Sequence, residues 1–76
     1  MTAKCIRELA KAVRQIEYAE DRWGSKGNEA WLIEESTVRA AGSYEHCRGY
    51  LKPGMVILTR EEIKAKERES YGLEAS

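Results

Sequence analysis

Apolar residues in the first third of the chain recur at helical spacing. Ile6, Leu9, Ala10, Val13 and Ile16 fall on one side of a 3.6-residue repeat. They predict a helix over residues 3–22. Thr2 stands where an N-cap hydroxyl accepts a bond from a first-turn N–H. Trp23 continues the apolar face, and Gly24 supplies a C-terminal stop because it tolerates the left-handed conformation. Residues 24–28 are small and polar and read as a flexible connection.

The pattern then changes. Ala30, Trp31, Leu32 and Ile33 are an unbroken apolar run, followed by Glu34, Glu35, Ser36, Thr37, Val38 and Arg39. Trp, Ile, Thr and Val favour a strand here, although residues 28–31 also fit a helix start. Ala41, Gly42 and Ser43 read as a turn, and residues 44–51 as a second strand. Lys52, Pro53 and Gly54 form a turn in which Pro presets φ and Gly accepts a positive φ. Met55, Val56, Ile57 and Leu58 predict a central strand buried on both faces. Thr59 and Glu62 stand at capping-box spacing and open a charged helix to about Ser70, supported by pairs such as Glu62 with Lys66. Ile63 is its one large apolar residue before Tyr71 and Leu73. Gly72 ends it, leaving residues 72–76 as a frayed tail. The expected fold is α+β: helix, three short antiparallel strands, helix, with the first helix packed on one face of the sheet.

Length and composition bound the functions. Seventy-six residues make one domain, and a domain of that size buries only about 60% of its unfolded surface. Thirteen Ile, Leu and Val residues and no Phe make a thin core, so a protein partner or a homo-oligomer is the expected support. Basic and acidic residues balance at thirteen each, so no global charge calls for nucleic acid or an anionic membrane. No apolar run is long enough to span a bilayer, and the N-terminal residues lack the apolar segment of a secretory signal. A cytoplasmic location is therefore expected. There Cys5 and Cys47 are free thiols acting as small core residues, not a disulfide framework.

Catalytic and metal chemistry find little material. His46 is the one histidine and adjoins Cys47, but neighbours on a strand point to opposite faces and cannot form a nucleophile–base pair. Neither Cys5 nor the His46–Cys47 pair has zinc-ligand spacing. Gly24, Ser25, Lys26 and Gly27 match the bare pattern of the loop by which KH domains clamp single-stranded nucleic acid. Arg22 and Trp23 stand where that loop would be preceded by an apolar pair, and the surrounding strand order fits poorly. Nucleotide-binding glycine fingerprints are absent. The expectation is a non-enzyme with no cofactor and no metal.

The feature that remains is a stripe on the first helix. Lys4, Arg7, Lys11, Arg14, Tyr18 and Arg22 fall opposite the apolar face, in a line roughly 27 Å long at 1.5 Å rise per residue. Local helix energetics do not account for it, since cations near a helix N-terminus oppose the macrodipole. Glu8 beside Lys11 and Glu17 beside Arg14 recover part of that cost. The plain reading is a solvated outer face; the functional one is an anion-facing surface. Charge elsewhere is patchy: residues 17–35 carry six acidic against two basic groups, and residues 36–58 three basic against one acidic. A dipolar patchwork with zero sum suits oriented docking on another protein. All six aromatics are Trp or Tyr, the types enriched at interfaces: Trp23, Trp31, Tyr18, Tyr44, Tyr50 and Tyr71.

These readings converge on a small protein-binding module that acts by occupying a partner's acidic surface. Inhibitors and adaptors carried by phages and other mobile elements are of this size. A nucleic-acid-binding module using the basic stripe is the second reading, and a subunit of a homo-oligomer or larger assembly the third.

Overall fold

The structure is a computed structural model that describes residues 2–75, with side chains through Gly72. Its elements are α1 (Ala3–Trp23), β1 (Ala30–Glu34), β2 (Thr37–Gly42), α2 (Tyr44–Gly49), β3 (Met55–Thr59) and α3 (Arg60–Ala75). The three strands form one antiparallel sheet in the order β2-β1-β3. The expected α+β architecture of helix, three-stranded antiparallel sheet and helix is present, with one short helix inserted.

Both ends of α1 form as the residue types dictate. The Thr2 hydroxyl accepts the Cys5 N–H at 3.1 Å, and Gly24 adopts φ 69° while donating its N–H to the Glu20 carbonyl at 2.9 Å. Ile6, Leu9, Ala10 and Val13 are buried. With Trp31 and Ile33 from β1, Leu58 from β3 and Ile63 from α3, they make the main core. Ile63, the single large apolar residue in the charged body of α3, is fully buried and anchors that helix. The capping box also forms: the Thr59 N–H donates to Glu62 Oε1 at 3.2 Å, and the Glu62 N–H to Thr59 Oγ1 at 3.3 Å.

Four local expectations are corrected. The segment read as one strand after residue 30 is a hairpin, β1 and β2, turning at Glu35 and Ser36. Glu35 takes φ 57° at the first turn position, where a two-residue hairpin with a negative second φ favours Gly. Without Gly or Asn the turn carried no sequence signal. Residues 41–43 are not a turn: Ala41 and Gly42 finish β2, and Ser43 caps α2. Residues 44–51 are not a strand. Ser43 Oγ accepts the His46 N–H at 3.1 Å and starts α2, in which only Cys47 is buried. One buried residue in six gives no periodicity, and the tyrosines biased the segment towards strand. Lastly, β3 is an edge strand and β1 the central one. Ala30, Trp31, Leu32 and Ile33 are all buried, whereas Val56 of β3 is 50% exposed.

β1 is apolar throughout because both its faces are covered. Trp31 and Ile33 face α1 and α3; Ala30 and Leu32 face the opposite way, against Cys47 of α2, with Ala40, Met55 and Ile57 alongside. α3 runs through Gly72 to Ala75, past the stop expected there. The fraying expected of the last residues falls largely outside the described side chains.

Candidate functional site

The connection between α1 and β1 is held by charge. Arg60 donates to both Glu20 carboxylate oxygens, at 2.6 and 2.8 Å, and through Nε to the Asn28 carbonyl at 2.8 Å. The Gly27 N–H donates to Glu20 Oε2 at 2.8 Å. The Arg60 guanidinium, then the Gly27 N–H, hold the Glu20 carboxyl down at about 2, and Glu20 in turn raises Arg60. So the loop with two glycines and a lysine is tied to the frame. Gly27 sits where a β-carbon would run into the Ile16 side chain. The beginning of α3 and the end of α1 flank a concavity of about 430 Å³ that includes Glu17, Arg60 and Lys64. Both its cations are taken up in ion pairs, Arg60 with Glu20 and Lys64 with Glu17, the latter at 2.7 Å.

The stripe on α1 divides in two. Arg7 is half-buried, with its guanidinium 4.5 Å from the centre of the Tyr71 ring on α3. Arg14 forms a two-pronged pair with Glu67 of α3, from Nη1 to the two oxygens at 2.8 and 2.9 Å. These two side chains help attach α3 to α1. Lys4, Lys11, Tyr18 and Arg22 stay exposed along the outer ridge, and among the described residues neither Lys4 nor Lys11 has a carboxylate partner. The helical phase showed which residues leave the core. It held no information on where a second helix would lie.

The ridge ends in an aromatic cluster. Tyr18 and Trp23 meet edge to face with ring centres 6.2 Å apart, and the Arg22 guanidinium lies 5.9 Å from one ring and 5.8 Å from the other. Tyr18 is 60% exposed, as expected of the stripe. Trp23 is 69% exposed, against the expectation that it continues the buried face: its ring lies against Tyr18 and Arg22 instead. Of the six aromatics only Trp31 is buried.

The opposite side of the sheet carries a second concavity, which the sequence reading missed. It has a volume of about 400 Å³, an apolar floor of Leu32, Ala40 and Met55, and a rim of Arg39, His46, Tyr50 and Lys52. His46 and Tyr50 stack edge to face at 5.3 Å. Cys47 lies beneath, fully buried, its thiol donating to the Ala30 carbonyl at 3.5 Å; burial pushes that thiol up from its ordinary pKa. His46 and Cys47 therefore point apart because helix neighbours diverge, not because strand neighbours do. The early signal was Ser43 in N-cap position ahead of Glu45, a weak helix start that the strand reading overrode.

Among the described residues no three metal-ligating side chains gather, and no helix is long and apolar enough to cross a membrane. Comparison with family models, with curated proteins and with solved structures finds no match. Fold and surface define the class: a small α+β domain with an exposed, cation-bearing helix ridge.

Proposed function

We propose that the chain is a non-enzymatic protein-binding module that docks the outer ridge of α1 on an acidic partner surface. The observation that carries this reading is the exposed Tyr18, Arg22 and Trp23 cluster. Trp, Tyr and Arg are the residues that dominate binding hot spots, where they become buried only in the complex. Lys4 and Lys11 extend the same ridge and would steer the encounter with negative charge. The interaction acts by occupancy, as an inhibitor or adaptor does.

A second reading keeps the ridge and changes the partner: Lys4, Lys11 and Arg22 would contact phosphates. One comparison separates the two. Retention of partners from a lysate is measured for the native chain, for Trp23→Ala, and for Lys4→Glu combined with Lys11→Glu. Trp23→Ala should weaken a captured protein by about 2 kcal/mol or more, as hot-spot truncations do. Both variants should keep the native circular dichroism, because these side chains are exposed. Capture unaffected by either variant would put the contact elsewhere. Binding of labelled nucleic acid at about 50 mM salt that collapses by about 200 mM would favour the second reading.

A further inference from the structure

The groove on the α2 side of the sheet is built differently from the α1 ridge, and we infer that it is a binding site for a planar organic anion of mononucleotide size. Three elements bring basic side chains to one rim: Arg39 from β2, His46 from α2 and Lys52 from the loop before β3. Tyr50 adds a ring beside His46, and Leu32, Ala40 and Met55 give an apolar bed. A volume of about 400 Å³ lies within the roughly 300–1,000 Å³ common for small-ligand sites. It has room for one ring system and one anionic group.

The placement of Arg39 is the informative part. Pairing runs Leu32 with Ala40 and then Ile33 with Val38, so Arg39 is the extra residue of a β-bulge. Regular alternation would set Arg39 opposite Ile33, on the face covered by α1. The bulge puts Val38 there instead and lets Arg39 join Ala40 on the groove side. Bulges recur where a side chain is re-aimed beside a functional site. Glu34 then grips the guanidinium by one edge, with Nε at 3.1 Å and Nη2 at 2.9 Å from its Oε1, and orients it. Among the described residues Lys52 has no carboxylate partner, so the rim keeps one cation beyond the Arg39–Glu34 pair. A phosphate or carboxylate would meet Arg39 and Lys52 in charge-assisted hydrogen bonds, while a ring lies on Met55 and Leu32 against Tyr50.

The test is a titration of the labelled chain with adenosine monophosphate, adenosine and inorganic phosphate, followed by amide chemical shifts. The monophosphate should give saturable shifts centred on Arg39, Ala40, His46, Tyr50 and Lys52. Adenosine and inorganic phosphate should each bind at least about tenfold more weakly, since each lacks half of the contacts. Arg39→Gln and Lys52→Gln should each weaken the monophosphate about fivefold or more, and Lys11→Gln on the opposite face should not change it. Lys52 is exposed in a loop, so its variant stays folded even if loss of the Arg39–Glu34 pair loosens the hairpin. The inference fails if the monophosphate gives no saturable shifts at millimolar concentration. It fails equally if inorganic phosphate binds as tightly, or if Lys11→Gln weakens binding as much as Lys52→Gln.

Discussion

Gly27 has no room for a β-carbon. An added methyl would press on Cγ2, Cγ1 and Cβ of Ile16, none of which is the far end of a flexible chain. It would also shift the N–H that Glu20 accepts. Gly27→Ala should therefore cost about 1–3 kcal/mol, the usual range for overpacking, read as a lower urea midpoint. The same change should cost less in an Ile16→Ala background; equal costs in both would show that the clash is not the cause. At this scale the caps were legible. Thr2, Gly24, Thr59 and Glu62 do locally what their side chains or lack of one allow, and need no distant partner. Glu35 was not legible, because its left-handed conformation costs about 1–2 kcal/mol and is imposed by pairing of β1 with β2.

At the scale of elements, ion pairs and one apolar anchor join α3 to α1. Arg14 with Glu67, Lys64 with Glu17 and Arg60 with Glu20 span the pair of helices, while Ile63 supplies the apolar anchor. The pair formed by Arg60 and Glu20 makes a pH prediction. Glu20 is lowered from 4.5 to about 2, first by the Arg60 guanidinium and then by the Gly27 N–H. A depressed carboxyl favours the native state fully above its unfolded pKa, and that contribution disappears as pH falls through the folded value. The urea midpoint should drop between pH 4.5 and about 2, and Glu20→Gln should flatten the drop over that window. A Glu20→Gln profile parallel to the native one would assign the acid sensitivity to other carboxylates. The stripe belongs to this scale too. Periodicity set all six of its residues off the apolar face; Arg7 and Arg14 contact α3, leaving Lys4, Lys11, Tyr18 and Arg22 on the ridge. A variant with Arg14→Glu would therefore set a carboxylate against Glu67 and lower stability, whereas charge reversal at Lys4 and Lys11 should leave the circular dichroism unchanged.

For the whole molecule, the sheet edges bear on association. The outer edge of β3 is apolar, but the Met55 N–H is taken by the Lys52 carbonyl at 3.1 Å and the Thr59 N–H by Glu62. The outer edge of β2 carries the bulge and Arg39. Bulges, charges and capped donors all oppose edge-to-edge pairing. Sedimentation velocity should accordingly give a folded monomer at micromolar concentration; a dimer that dissociates only on unfolding would instead support the homo-oligomeric reading.

The sequence by itself determined what depends on near neighbours: α1 with its caps, the start of α3, the apolar identity of β1 and β3, and a mixed α+β fold on a thin core. Tertiary structure decided the rest. Which apolar run became the central strand depended on neighbours far along the chain. Within residues 44–51, Tyr44–Gly49 became a helix capped by Ser43, with its one buried residue, Cys47, packed against the sheet. Arg39 reached the groove through a bulge in pairing register, which no single segment encodes. Local propensities act over a few residues, whereas each of these outcomes is fixed by contacts between segments that meet only when the chain has folded.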